Sequence, residues 1–211
     1  MTQIYEFKKL NRIIGGDGAE IREQLILAGL LLMLFERFKK YTLGQVEGFF
    51  CSHIEFKEGD IVYRRGDKFK KLIKEHGKGE DGQHGNEAFR AALKLFRDFD
   101  AISAEEFNEI ERLYILRNDI GHELFAIIAD DNKHPIKVED ICTIFDVYLK
   151  IVRWWIKEIE ATTDPDFDQE KYENTDFDSA ESGDTVFLRE IIKKALLGNA
   201  DINEILKAAN G

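Results

Sequence analysis

The stretch Ser103-Ala-Glu-Glu-Phe-Asn-Glu-Ile-Glu-Arg-Leu-Tyr-Ile-Leu-Arg117-Asn-Asp-Ile-Gly-His122-Glu-Leu-Phe-Ala-Ile-Ile-Ala129 decides the fold. Ser103 can accept a hydrogen bond at a helix start, and Glu106, three residues on, completes a capping box. Phe107, Ile110, Tyr114, Arg117, Gly121, Leu124 and Ile128 follow alternating steps of three and four, which is one stripe of a helix. A stripe that only faced a core would be apolar throughout. This one carries Arg117 and Gly121 at its middle.

Asn118 and His122 are four apart and project from nearly the same side. Arg117 and His122 are five apart and diverge by roughly 140° on a straight helix. Along a regular helix one copy of the chain cannot easily aim both at one atom. Either the helix is distorted near Gly121, or a second copy supplies the missing group across a two-fold axis.

Arg117 to His122 is R-x4-H, with polar Asn118 directly after the arginine, on a late helix of a helical chain. This pattern resembles the HEPN superfamily (higher eukaryotes and prokaryotes nucleotide-binding), over roughly residues 17–160. The resemblance implies a helical bundle that dimerises with its motifs facing each other. It also implies metal-independent endoribonuclease activity, often in toxin or phage-defence settings. Many toxin members carry Tyr two residues after the histidine. Here that position is Leu124, so control by modifying that tyrosine is not expected.

Composition sets the frame. Two prolines in 211 residues suit long uninterrupted helices. Cys51 and Cys142 lie far apart with no C-x-x-C, and two buried reduced thiols are expected. Glu6, Lys8 and Lys9 interrupt any apolar run after Met1, so no secretory signal is expected. The longest apolar run, Leu25 to Phe35, is about half a membrane span. A soluble cytoplasmic protein without a membrane partner follows as the expectation. The net charge is −11, but residues 158–184 hold eleven acids against one lysine. That segment is −10 and leaves −1 for the rest of the chain. Val62 to Lys78 is +5, with seven Lys/Arg against two acids. Overall acidity therefore does not exclude a face for RNA.

The remaining elements read in order. Residues 1–14 suggest a short docked helix, and Gly15 to Gly18 a turn. Ala19 to Tyr41 reads as a helix, apolar almost all round from Leu25 to Phe35, hence central. Thr42 can cap a second piece, Leu43 to Cys51. His53 to Phe56 and Ile61 to Tyr63 flank Lys57 to Asp60, either as a small hairpin or as an irregular insertion. Asp67 to His76 is a basic helix with Phe69, Leu72 and Ile73 inward. Glu87 to Phe99 is amphipathic, and Lys137 to Thr162 is the last long helix. Trp154 and Trp155 are adjacent and cannot both point inward. Asp164 to Asp184 reads as a disordered or loosely draped linker. Thr185 to Leu197 and Asp201 to Ala209 read as short amphipathic helices.

The expected architecture is an all-α, HEPN-like bundle over residues 1–162, an acidic linker over 163–184 and short C-terminal helices over 185–211. The expected function is a homodimeric, metal-independent endoribonuclease, a toxin or defence effector, that leaves 2′,3′-cyclic phosphate ends and needs no cofactor. Arg117, Asn118 and His122 are its candidate catalytic residues, with Asp119, Glu123 and Tyr114 in possible support. Arg64, Arg65, Lys68, Lys70, Lys71 and Lys74 are candidates for contacting the RNA backbone. No metal site is expected. An antitoxin or other regulatory protein is a possible partner. The alternative is a catalytically inactive HEPN-type module that binds nucleotide, RNA or protein. Arg117 would then pair with Glu111, Glu123 or Asp119, and His122 would be an ordinary surface or core-edge residue.

Overall fold

Helix α1 (Ala19–Phe49) is the spine of the bundle. The structure, a computed structural model, describes residues 9, 11, 15–57, 60–77 and 87–197. These are mostly helical. The chain enters α1 through Gly18, whose φ of 76° is the left-handed conformation that glycine adopts without steric cost. Leu27, Leu31, Leu34, Phe35 and Phe38 are buried, whereas Leu25 and Ile26, at the start of the apolar run expected to be central, are exposed. The expected helices at residues 1–14 and 201–209 lie outside the described residues, apart from Lys9 and Asn11.

Thr42 does not begin a second helical piece. α1 runs on to Phe49, and Thr42 is buried within it. The reason is packing: Phe38, Thr42 and Val46 lie four apart on the core-facing stripe, and burial of Phe38 and Val46 carries the helix across.

A hairpin follows, the first of the two alternatives for this region. Strands β1 (Cys51–Lys57) and β2 (Asp60–Arg65) pair antiparallel, with Phe56 opposite Ile61 and Lys57 opposite Asp60. Helix α2 (Asp67–His76) then buries Phe69, with Leu72 and Ile73 partly covered. Gly77 ends it at a tight crossing, where a Cβ would sit 2.5 Å from the Ile73 carbonyl oxygen and 2.7 Å from Glu87.

Three long helices complete the core. α3 (Glu87–Asp98) places Phe89 edge-on to both Phe35 and Phe38, at 5.7 and 5.6 Å between ring centroids. α4 (Ala104–Ala129) opens with the expected capping box. The Ser103 hydroxyl accepts from the Glu106 N–H at 3.2 Å, and Glu106 accepts from the Ser103 N–H at 2.8 Å. α5 (Val138–Trp155) buries Ile141, Ile144, Tyr148, Ile151, Val152 and Trp155. It continues through one π-helical turn, Ile156–Glu160, to Thr163. Trp155 is buried, whereas Trp154 is half-buried and stacks on Phe99 at 5.9 Å. α1 and α4 run antiparallel. Phe35 meets Tyr114, and further back along α1 the Gln24 side chain bonds the backbone of Ile136, beyond the end of α4.

The acidic segment differs from the expected loose linker. It forms a short helix α6 (Gln169–Glu173), capped by Asp168, and a 3₁₀ turn at Phe177–Ser179. The rings of Phe167, Tyr172 and Phe177 pack in series at 5.8 and 5.1 Å. Arg153 donates to the Ala180 carbonyl, and Arg189 of helix α7 (Gly183–Leu197) pairs with Glu181. Aromatic contact and these cations offset the like-charge repulsion that favoured disorder. The cysteines are unbridged, but neither is buried as expected: Cys51 is half-buried and Cys142 exposed. No described helix is long and apolar enough to cross a membrane.

The Thr42 hydroxyl is buried without a hydrogen-bond partner. Thr42→Val keeps the shape and removes that unsatisfied group. It should raise stability by about 1 kcal/mol in urea denaturation, because burying an unpaired hydroxyl costs about 1–3 kcal/mol. A loss of stability would show that the hydroxyl is satisfied in solution.

Candidate active site on helix α4

Helix geometry sets the site. α4 has helical backbone from Ala104 to Ala129 apart from one residue, Glu123, at φ −128° and ψ 22°. The distortion considered near Gly121 therefore lies just beyond the motif. Arg117 to His122 keep regular helical geometry, and their side chains diverge as a straight helix requires.

Arg117 lies on the core-facing arc, between buried Leu113 and Ile120 and partly buried Leu124. Its stem is covered, and its Nε is buried without a hydrogen-bond partner. The end of the guanidinium reaches the surface between α4 and α1. There Nη2 donates to Glu36 Oε1 at 2.5 Å, and Nη1 donates to Asn118 Oδ1 at 3.1 Å. The side chains of Arg117 and Glu36 are 33% and 49% exposed. Glu36 was not among the candidate residues, and neither were Glu111, Glu123 or Asp119 chosen as Arg117's partner in the fold. Glu111 bonds Arg90 at 2.5 Å, and Glu123 bonds Lys133 at 2.5 Å. Glu36 is 81 positions away in sequence.

His122 stands on the opposite arc, exposed to solvent. It belongs to a stripe of Ile115, Asn118, His122 and Phe125, in steps of three and four. Ile115 is 51% and Phe125 75% exposed. Gly121 adds a bare stretch of backbone, with nothing within 4 Å of an added Cβ. The structure thus brings Arg117 and Asn118 together and holds His122 apart from Arg117. Tyr114 is half-buried, its ring 5.9 Å from Phe35, and is a packing residue. Lys133 is held above the ordinary lysine range chiefly by its hydrogen bond to Glu123, with Asp119 and Asp130 adding attraction.

The basic candidates form a separate surface. Arg64 bonds Glu55 at 2.6 Å, and Arg65 bonds Glu47 at 2.7 Å. Hydrogen bonds from Arg64 and then His53 hold the Glu55 carboxyl down at about 2. Lys70 pairs with Asp67 at 3.1 Å, and Lys71 lies 3.8 Å from Glu75. Lys68 and Lys74 are exposed. Arg90 ties the end of α2 to α4, donating to the His76 carbonyl at 3.3 Å and to Glu111. Glu111 precedes His122 by eleven residues, about 17 Å along the helix. The basic helix therefore ends at the head of the stripe that carries His122, without joining it.

Among the described residues no group of three or more His, Cys, Asp or Glu side chains is placed to hold a metal ion. No family model, curated protein or solved structure matches the chain.

The two arcs predict different stabilities on substitution. His122→Ala should leave the unfolding free energy within about 0.5 kcal/mol of the parent, as for other surface changes. Arg117→Ala removes a packed stem and should cost about 1–2 kcal/mol, most of it recovered in Arg117→Met. Chemical denaturation of the three variants checks this. A large loss in His122→Ala would assign that residue a structural role.

Proposed function

We propose that the chain is a HEPN-type, metal-independent endoribonuclease whose active site is completed between two copies. The observation that carries this reading is the placement of one R-x4-H motif on opposite arcs of an undistorted helix turn. Arg117 offers a surface guanidinium, and His122 stands on an open, partly apolar stripe.

The chemistry has three requirements. The RNA 2′-hydroxyl must lose a proton, the departing 5′-oxygen must gain one, and charge building on the phosphorus oxygens must be stabilised. Imidazole titrates near neutrality and serves either proton transfer. Guanidinium stays charged, and its planar fork matches phosphate oxygens. Asn118 accepts from Arg117 and so orients the fork. Two copies facing across a two-fold axis bring two histidines and two arginines to one scissile phosphate. One histidine then acts as base and the other as acid, and a 2′,3′-cyclic phosphate remains. Ile115 and Phe125 supply apolar area for the second copy, and Gly121 permits close approach. The cations at the end of α2 extend the path for the RNA backbone. A toxin or defence role, held in check by a regulatory protein, follows from the same resemblance.

One observation favours a second reading, a HEPN-type module that binds nucleotide, RNA or protein without cleaving it. Glu36 already neutralises Arg117, and Asp119 and Glu123 flank His122.

Cleavage of several RNA classes in the presence of EDTA separates the readings. The wild type should leave cyclic-phosphate ends, and His122→Ala and Arg117→Met should each lose at least about 100-fold in rate. Phe125→Asp should shift the protein to monomer in sedimentation and lose cleavage with it. Binding without cleavage by the wild type would establish the second reading. Equal cleavage by every variant would remove the motif from the chemistry.

A further inference from the structure

Glu36 is placed where a phosphate would have to be. A guanidinium binds an oxyanion bidentately along one of two edges: Nη1 with Nη2, or Nε with Nη2. Nη2 belongs to both. Nε of Arg117 is buried, which leaves the Nη1–Nη2 edge facing the surface. Glu36 takes Nη2 there, and Asn118 accepts from Nη1, which carries a second N–H donor. A phosphate approaching Arg117 therefore meets a carboxylate already in contact with it.

We propose that Glu36 is a gate on the anion site of Arg117: its carboxylate occupies the guanidinium at rest and swings away when an RNA phosphate docks. The proposal rests on the reading of Arg117 as a phosphate-binding residue and adds a device that regulates it.

Three features make this a gate rather than a structural clamp. Glu36 is half exposed, so its departure leaves no charge stranded in the core. An ion pair so open to water is weak, and a polyanion can displace it. The α1–α4 contact does not need the pair, because the buried residues of the two helices already form one apolar core, with Phe35 against Tyr114. The open state also has a partner waiting. Lys40 is exposed and stands four residues after Glu36 on α1, the favourable spacing and order for a Glu–Lys pair along a helix. The carboxylate thus exchanges Arg117 for Lys40 without leaving its own helix.

The gate has a direct consequence for binding. At rest the Arg117 site presents little net positive charge, so weak monoanions gain little from it. A chain of phosphates, which brings many charges to the protein at once, can displace the carboxylate. The acidic residue thereby selects for extended polyanions over small ones.

The experiment measures binding of a 2′-O-methyl RNA 12-mer, which lacks the attacking hydroxyl, at about 0.1 M salt, where charge interactions beyond about 10 Å are screened. Proteins are the full chain, Glu36→Gln, Arg117→Met and the double variant, each checked for folding by circular dichroism. Glu36→Gln should bind three- to tenfold more tightly than the wild type, and the gain should vanish in the double variant. Equal affinity of Glu36→Gln and wild type would overturn the gate. A gain that survives in the double variant would also overturn it, since the effect would then be general charge rather than release of Arg117. Cleavage of the all-ribose 12-mer is followed in parallel. Arg117-dependent tightening without cleavage sustains the gate while removing the ribonuclease reading. Cleavage without tightening does the reverse.

Discussion

Burial of α1 is the constraint on which the rest of the structure depends. A helix of 31 residues with Leu27, Leu31, Leu34, Phe35 and Phe38 inside must be covered on several sides at once. α3, α4 and α5 supply the cover, and their apolar faces are meaningful only against it. At roughly 1.5–3 kcal/mol per fully buried large apolar side chain, this ring of contacts outweighs any single polar interaction in the bundle. It also fixes the register of α4 on α1. Phe35 against Tyr114 sets the alignment, and Glu36 beside Arg117 follows from it.

That register explains how an arginine occupies the core-facing arc of α4. Leu113, Ile120 and Leu124 share its arc, and the charged end escapes to Glu36 at the seam between the helices, as long cationic side chains do. Five positions later, the same helix must expose His122. No rotation of α4 could turn both residues to one side without burying Asn118 and His122 or exposing Leu113 and Ile120. The divergence is therefore a property of the core, not a local accident of the loop that follows. The non-helical backbone at Glu123 redirects only what comes after the motif, where Lys133 holds the carboxylate.

Much of the fold was legible because its determinants are local. The Ser103–Glu106 box and the three-four spacing placed α4 within a residue of its ends, and the amphipathic pattern of Glu87 to Phe99 located α3. Three features were not legible. Thr42 looked like a cap because its hydroxyl favours helix starts, yet tertiary burial of Phe38 and Val46 overrode that preference. The acidic segment looked disordered from its charge, yet Phe167, Tyr172 and Phe177 give it a small packed nucleus. Glu36 carried no signal at all. One glutamate on a charged helix face resembles every other until the packing of α1 against α4 sets it against Arg117. The motif residues and their divergence could be read from spacing, but the choice between a distorted and a regular helix through the motif needed the structure.

That division makes the two halves of the proposed site unlike in physical kind. The Arg117 stem lost most of its freedom when the core formed, so an anion arriving there need not order it. Asn118 fixes the plane of the fork as well. His122 has no such support, because its arc is open. Its imidazole stands in solvent beside exposed Ile115 and Phe125. One half of the proposed site is therefore organised by folding, and the other is left to the proposed assembly. If Arg117 is the proposed anion site, an isolated chain already presents it, whereas the proposed proton donor and acceptor await the second copy. On the proposed reading, cleavage depends on association and anion binding does not, a difference set by the packing of one helix.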